Sequence, residues 1–231
     1  ISMGKIKDDP DRMKYPEQIY VKSPQEMSDL FPDDDEQEAL KNSVRIAARC
    51  NVDLSRHENH APVVEVVHPG KPPAYTGGDL TEWFKDYCSS YALKPYDQNT
   101  SKYSLEDLKS GCAKALRDLS EAGLIWRYGA DGVSQEIRDR LERELQVLID
   151  KEIAAYFLIV WDFVNWARQR GIPSNARGSG VGTMVGYVLG LSNACPVHYG
   201  LLFERFTDPD RAEYPDIDVD ICQNGRSEVI D

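Results

Sequence analysis

The chain has 231 residues, of which 41% are hydrophobic and 10% aromatic, and its 27 basic and 39 acidic residues give a formal net charge of −12. Such a composition can bury the core of one large domain or two modest ones, which excludes a chain disordered throughout, and its acidic balance argues against a small basic DNA-binding module. No apolar run approaches the ~20 residues of a transmembrane helix, no signal peptide is recognisable, and five scattered cysteines without Cys-x-x-Cys spacing favour reduced thiols in a cytoplasmic protein.

The residues up to position 80 predict two helices followed by a linker. Ser23, with Glu26 three positions later, has the pattern of a capping box that starts a first helix. A second helix is expected after the acidic residues 33–35, because their carboxylates complement the positive end of a helix dipole, and Asn51 is a reasonable C-cap. Residues 52–80 are rich in Pro and Gly around one short apolar run, and we interpret them as a domain boundary.

Helices also dominate the middle of the chain. Ser104 and Asp107 form a second capping-box pattern, and apolar positions continue from there at helical spacing to Gly123. Ser134 opens an amphipathic helix. Its apolar stripe holds Ile137, Leu141, Leu145 and Leu148. Residues 156–167 are apolar nearly all round, which predicts a buried helix.

A glycine-rich segment, Arg-Gly-Ser-Gly-Val-Gly-Thr at residues 177–183, precedes an apolar stretch that predicts a helix over residues 184–191. Glycine lets the backbone approach a ligand closely, and the start of a helix presents free N–H groups to an anion. Ser179 could therefore bind a phosphate through its hydroxyl and its backbone N–H. The alternative is a flexible loop with a serine as helix N-cap. Neither a P-loop nor a Rossmann pattern is matched.

Arg205 lies between two aromatic residues, Phe203 and Phe206, which we expect in the core. Its guanidinium could form a salt bridge with a neighbouring acidic side chain, or it could bind the oxygens of a triphosphate. The residues alone leave both roles open.

Three carboxylates alternate with branched apolar residues in the sequence Pro-Asp-Ile-Asp-Val-Asp-Ile at residues 215–221. In a strand, Asp216, Asp218 and Asp220 would share one face, while the Ile and Val side chains pack on the core. The carboxylates would repel one another unless a cation neutralises them, and oxygen ligands suit Mg²⁺. A solvated turn opened by the proline is the alternative. An EF-hand loop is excluded, because its positions for Gly and Glu hold Ile and Ser here.

Four motifs in one order resemble a known family. They are Tyr-Phe-Leu-Ile-Val at 156–160, Arg-Gly-Ser-Gly at 177–180, Leu-Leu-Phe-Glu-Arg-Phe at 201–206 and Pro-Asp-Ile-Asp-Val-Asp at 215–220. Together they are similar to the alpha subunits of bacterial DNA polymerase III, the replicative C-family polymerases. Residues 20–27 and 46–51 resemble, more weakly, the end of the polymerase-and-histidinol-phosphatase (PHP) domain of that family.

The resemblance implies an α+β (mixed α/β) fold that is mostly helical, with an incomplete palm sheet of the nucleotidyltransferase type found in X-family polymerases. It implies that Asp216 and Asp218 are catalytic and hold two Mg²⁺ ions, with Asp220 as a reserve ligand. The triphosphate of the incoming deoxynucleotide would be bound by Arg177, Gly178, Ser179 and Arg205. Residues 1–70 would form the end of the PHP domain plus a linker, and residues 71–231 the first part of the palm.

The implied activity is DNA-directed DNA polymerisation, in which dNTPs extend a primer on a DNA template in the cytoplasm. The implied partners are primer–template DNA, a sliding clamp, a proofreading exonuclease subunit and a clamp loader, with no membrane. We expect the chain to be a fragment that is inactive alone, because in this family a third catalytic aspartate lies beyond Asp231 and the PHP metal ligands lie upstream of Ile1. The four histidines match none of those ligands.

One departure from the family pattern precedes the glycine-rich segment. Pro-Ser-Asn-Ala at residues 173–176 stands where the family has Gly-Pro-Gly, which changes the loop geometry we expect but not the identity of the loop. The resemblance covers both main replicases and error-prone relatives. From the residues alone, two other classes stay open: a nucleotidyltransferase that acts on a small acceptor, and a non-catalytic module that binds metal or nucleotide.

Overall fold

The computed structural model of the chain describes residues 18–51, 62–97, 99–207, 210 and 215–231. The chain falls into two compact units that divide between residues 57 and 58. The dividing point lies within the segment 52–80 that we interpreted as a boundary, and residues 52–61 of that segment are outside the described residues.

The first unit contains two helices, of which the first begins where the sequence predicts and the second, expected after residues 33–35, already begins at Asp34. They are α1 (Pro24–Leu30) and α2 (Asp34–Arg49). The capping box of α1 is confirmed, since the Ser23 side chain accepts the Glu26 N–H and the Glu26 carboxylate accepts the Ser23 N–H at 2.8 Å. The acidic first turn of α2 is also confirmed. Its C-cap is Cys50, one residue before the predicted Asn51.

The second unit combines helices with two small antiparallel sheets, so the prediction of a mixed, mostly helical fold is confirmed. Its helices are α3 (Leu80–Cys88), α4 (Leu105–Tyr128), α5 (Gln135–Asp150), α6 (Ala154–Gln169), α7 (Met184–Val188) and α8 (Arg226–Ile230). Its strands are β1 (Val64–Val67), β2 (Ala92–Pro95), β3 (Ser174–Arg177) and β4 (Asp218–Ile221). Two short 3₁₀ turns lie at Gly178–Gly182 and Phe203–Arg205. Within the described ranges, no helix is long and apolar enough to cross a bilayer.

The long helix α4 is the centre of the core of the second unit. It packs against α3, α6, α7 and β1, and its side chains Leu116 and Leu119 are fully buried. Gly123 lets the backbones of α4 and α7 touch, because a Cβ at this position would lie only 2.1 Å from the carbonyl oxygen of Val188. The predicted burial of α6 is confirmed along most of its length, and Phe157 on this helix is inaccessible to solvent.

Two helices end elsewhere than the sequence predicts. α4 continues past Gly123 and is closed by Gly129, whose φ of +77° is the left-handed conformation that glycine adopts readily. Gly123 serves the packing between helices, so its presence does not mark a helix end. α7 is shorter than predicted: it ends at Val188, and Gly190, with a φ of +79°, turns the chain behind it.

The sheet of β3 and β4 joins two segments that are far apart in the sequence. β1 pairs with β2, and β3 pairs antiparallel with β4 in a register that places Arg177 opposite Asp218 and Asn175 opposite Asp220. The strand predicted over residues 216–221 begins at Asp218, so Asp216 lies just before it in an irregular segment.

Candidate active site

The pairing of β3 with β4 brings the start of the glycine-rich turn to the predicted carboxylates. Because Arg177 is the register partner of Asp218, their side chains share one face of the sheet, together with that of Asp220. The opposite face is apolar, since Ala176 is buried and Val219 packs against the hydrophobic core. The predicted alternation of polar and apolar side chains is therefore confirmed in β4.

A tyrosine from α6 fixes the chain between Asp216 and Asp218. The backbone N–H of Ile217 donates to the Tyr156 hydroxyl at 2.8 Å, and the Ile217 side chain is buried. Burial is the main cause that raises the pKa of Tyr156, and the negative charges of Asp216 and Asp218 raise it further. The hydroxyl therefore stays protonated at neutral pH, beside two aspartates that are exposed to solvent.

Arg177 forms ion pairs with two of the three predicted carboxylates. Its Nη1 lies 3.1 Å from Asp218 Oδ2, and its Nε lies 3.1 Å from Asp220 Oδ1. All three side chains are largely exposed, so these pairs contribute little to stability. They do offset part of the repulsion between the carboxylates. The resemblance assigns Arg177 to the triphosphate, whereas its guanidinium contacts the carboxylates here.

The glycine-rich segment forms the first 3₁₀ turn, which begins beside the carboxylate strand. Gly178 has a φ of +69°, and a Cβ built on it would lie 3.9 Å from Asp218 Oδ2. Ser179 is exposed. The N-cap role that we considered for this serine belongs to Thr183, whose hydroxyl accepts the Gly186 N–H at 3.0 Å. The hydroxyl of Ser179 is thus not used to cap α7.

The second 3₁₀ turn presents Arg205 at the surface. Phe203 and Phe206 are buried on either side of it, so their predicted place in the core is confirmed. The neighbouring Glu204 forms an ion pair with Arg143 of α5. In the part of the chain that the structure describes, the Arg205 side chain takes part in no such pair.

Two residues of α5, Arg140 and Glu144, were missed by the sequence analysis. Glu144 is fully buried and forms an ion pair with Arg140 one turn earlier. Its carboxylate accepts the backbone N–H groups of Met184 at 2.6 Å and Val185 at 3.1 Å. Burial raises the pKa of Glu144 to about 7, against the opposite effect of Arg140 and the two N–H donors. The sequence does contain an indication of this ion pair. Glu144 falls on the apolar stripe of α5, where a buried acidic side chain requires a partner.

Asp216 and Asp218 are a small ligand set for a metal ion. Among the described residues, no three His, Cys, Asp or Glu side chains cluster in a way that could hold one. Two carboxylates nevertheless fit Mg²⁺, because this ion is commonly bound by one or two carboxylates together with substrate phosphates. His57 and His60, which we do not expect to be ligands, lie outside the described residues.

The sequence of the chain is similar to those of known proteins. Residues 114–231 match the family model of the bacterial DNA polymerase III alpha NTPase domain. Proteins named DNA polymerase III subunit alpha match 96% of the chain in Chlamydia muridarum (34% identity) and all of it in Campylobacter jejuni (35%) and Pseudomonas fluorescens (36%). The chain spans only 17%, 18% and 17% of the length of these three curated relatives.

Proposed function

Because the chain belongs to the family of bacterial DNA polymerase III alpha subunits, we propose that it forms part of the palm of a DNA-directed DNA polymerase. Residues 71–231 supply the first part of a nucleotidyltransferase palm like that of the X-family polymerases, and residues 1–70 supply the end of a PHP domain plus a linker. The full-length enzyme, here named the parent polymerase, adds deoxynucleotides to a primer 3′ end on a DNA template. A sliding clamp, a proofreading exonuclease subunit and a clamp loader are the partners that the resemblance implies.

The observation that carries this proposal is the pairing of β3 with β4, which sets the turn at Gly178 beside Asp218. A glycine turn gives a triphosphate close access to the backbone. Adjacent carboxylates bind the divalent cations that accompany phosphates. Nucleotidyl transfer needs both features side by side, because its catalysis consists mostly of positioning and of stabilising the charge on the phosphates.

The Asp216 and Asp218 carboxylates are assigned two Mg²⁺ ions, with Asp220 as a reserve ligand. When bound, such ions neutralise the charge of the triphosphate and favour the deprotonated form of the primer hydroxyl. The rest of the chain contributes positioning, since Tyr156 holds the peptide between the two carboxylates through the Ile217 N–H.

Four residues are assigned to the triphosphate of the incoming dNTP. They are Arg177, Gly178, Ser179 and Arg205. The Ser179 hydroxyl is exposed on the first 3₁₀ turn and can donate to a phosphate oxygen. Arg205 is exposed on the second 3₁₀ turn, which contacts the first, and a planar guanidinium suits phosphate oxygens. Arg177 contacts the carboxylates of β4 through Nη1 and Nε, so a triphosphate would share its guanidinium with them or displace them.

The test is single-nucleotide addition by the parent polymerase, with primer–template DNA, Mg²⁺ and each dNTP in turn. We expect addition only of the dNTP complementary to the template base. The Asp218→Asn variant should add the nucleotide more than about 100-fold more slowly than wild type. Such a decrease corresponds to the several kcal/mol by which a catalytic metal site lowers the activation barrier.

The matched control is Asp86→Asn, which changes an exposed aspartate of α3 and should keep the wild-type rate. Addition without a template, or transfer to a small acceptor, would contradict the proposal in favour of another nucleotidyltransferase. Absence of transfer by the wild-type enzyme would point to a non-catalytic binding module.

A further inference from the structure

Helix α5 carries a buried ion pair whose partners are both bonded to backbone groups near the proposed site. Glu144 has no exposed side-chain surface, and the Arg140 side chain is 14% exposed. Removing charges from water is costly, and an apolar pair of similar size would pack at this place on the apolar stripe without that cost. The pair is therefore weak evidence for stability, and its contacts identify the backbone groups that it can hold in place.

Glu144 fixes the chain immediately after the glycine-rich turn. Its Oε2 accepts the N–H of Met184 at 2.6 Å and that of Val185 at 3.1 Å. These are the first two residues of α7, and their N–H groups have no partner within that helix. The carboxylate thereby sets the direction in which the chain leaves the first 3₁₀ turn.

Arg140 joins the end of the first 3₁₀ turn to the residues just before the second through one nitrogen. Its Nη2 donates to the carbonyl oxygen of Gly182 at 3.1 Å and to that of Leu201 at 3.0 Å. Gly182 is the last residue of the first 3₁₀ turn, and Leu201 lies two residues before the second. The two segments also touch there, because a Cβ on Gly182 would lie 3.0 Å from the carbonyl oxygen of Leu202.

We propose that Arg140 and Glu144 are positioning residues for the incoming nucleotide, which hold the turn bearing Ser179 and the turn bearing Arg205 in one fixed relation. This inference rests on the function proposed above. Neither side chain touches the nucleotide. Arg140 acts through the carbonyl groups of Gly182 and Leu201, and Glu144 acts through the first two N–H groups of α7. The pair determines how well the triphosphate is bound, and the carboxylates of β4 determine the rate of the chemical step.

The experiment compares steady-state dNTP addition by the parent polymerase and by its Arg140→Lys and Glu144→Gln variants, with active-site concentration measured by burst titration. Lysine keeps the charge but cannot reach Glu144 and two carbonyl oxygens as a guanidinium does. Glutamine keeps the size of Glu144 but removes its charge. We expect each variant to raise the KM for dNTP about tenfold and to change kcat less than about twofold.

A second measurement separates positioning from a general loss of structure. Ser179→Ala alone should raise KM, and its combination with Arg140→Lys should raise KM by less than the product of the two single effects, because both act on the same turn. Glu142→Gln is the matched control: it lies on the same helix, pairs with Arg117 at the surface, and should leave KM unchanged.

Three results would overturn the inference. The first is an unchanged KM for dNTP in Arg140→Lys. The second is a KM in the double variant that equals the product of the effects of Ser179→Ala and Arg140→Lys. The third is a lower concentration of active enzyme with a constant KM. If Glu144→Gln does not fold, Arg140→Lys decides on the same criteria. The proposed function is tested separately, by dNTP addition with the wild-type enzyme and by its loss in Asp218→Asn. If the wild-type enzyme adds no dNTP, the proposed function fails, whatever the Arg140 and Glu144 variants show.

Discussion

Gly178 has a backbone conformation that residues with a side chain rarely adopt, with a φ of +69°. It stands where β3 ends and the first 3₁₀ turn begins, next to Asp218. A Cβ at this position would have space, because the nearest atom outside the two adjacent residues would be the Asp218 oxygen at 3.9 Å. The requirement for glycine here is therefore conformational and not steric.

Replacing Gly178 with alanine should lower the free energy of unfolding by about 1 kcal/mol, the usual cost of the left-handed region for an L-residue. Urea unfolding of the 231-residue chain, followed by circular dichroism, measures this. The matched control is Gly111→Ala on α4, where a Cβ meets open space and the helix favours alanine. An unchanged or higher stability of Gly178→Ala, relative to wild type, would contradict the argument.

Among the helices, the starts of α1, α4 and α5 could be predicted from the sequence, whereas the ends of α4 and α7 could not. The residues that start α1, α4 and α5 are serines whose side chains accept an N–H of the first turn, and this bond depends only on neighbours in the sequence. The end of α4 depends on its contact with α7, because Gly123 is needed there for close packing. Contacts between distant segments leave no local pattern that would reveal them.

The start of α7 provides a test of local capping next to the proposed site. The Thr183 hydroxyl accepts the Gly186 N–H at 3.0 Å and donates to the Gly180 carbonyl oxygen at 3.0 Å. Thr183→Ala removes both bonds, and we expect it to lower the free energy of unfolding by about 1 kcal/mol. Thr183→Ser keeps the hydroxyl and should retain most of the stability. Equal losses in the two variants, measured by urea unfolding, would show that the methyl group and not the cap is responsible.

For the whole molecule, the residues of the proposed site could be predicted from the sequence, but the residues that contact them in the fold could not. The alternation in β4 and the glycine-rich turn are local patterns, and the structure places Asp218 and Gly178 side by side. The contact of Arg177 with the carboxylates required the pairing of strands about 40 residues apart. The bonds of Arg140 to the carbonyl groups of Gly182 and Leu201 are likewise products of the tertiary fold.

We propose that Asp216 and Asp218 carry the metal-dependent chemistry, and the decisive measurement is single-turnover primer extension by three Asp→Asn variants of the parent polymerase. We expect the Asp216→Asn and Asp218→Asn variants each to extend the primer more than about 100-fold more slowly than wild type. Asp220→Asn removes only the reserve ligand and should slow extension less than about tenfold. Wild-type rates in the Asp216 or Asp218 variant, or a larger loss in Asp220→Asn than in either, would contradict the proposal.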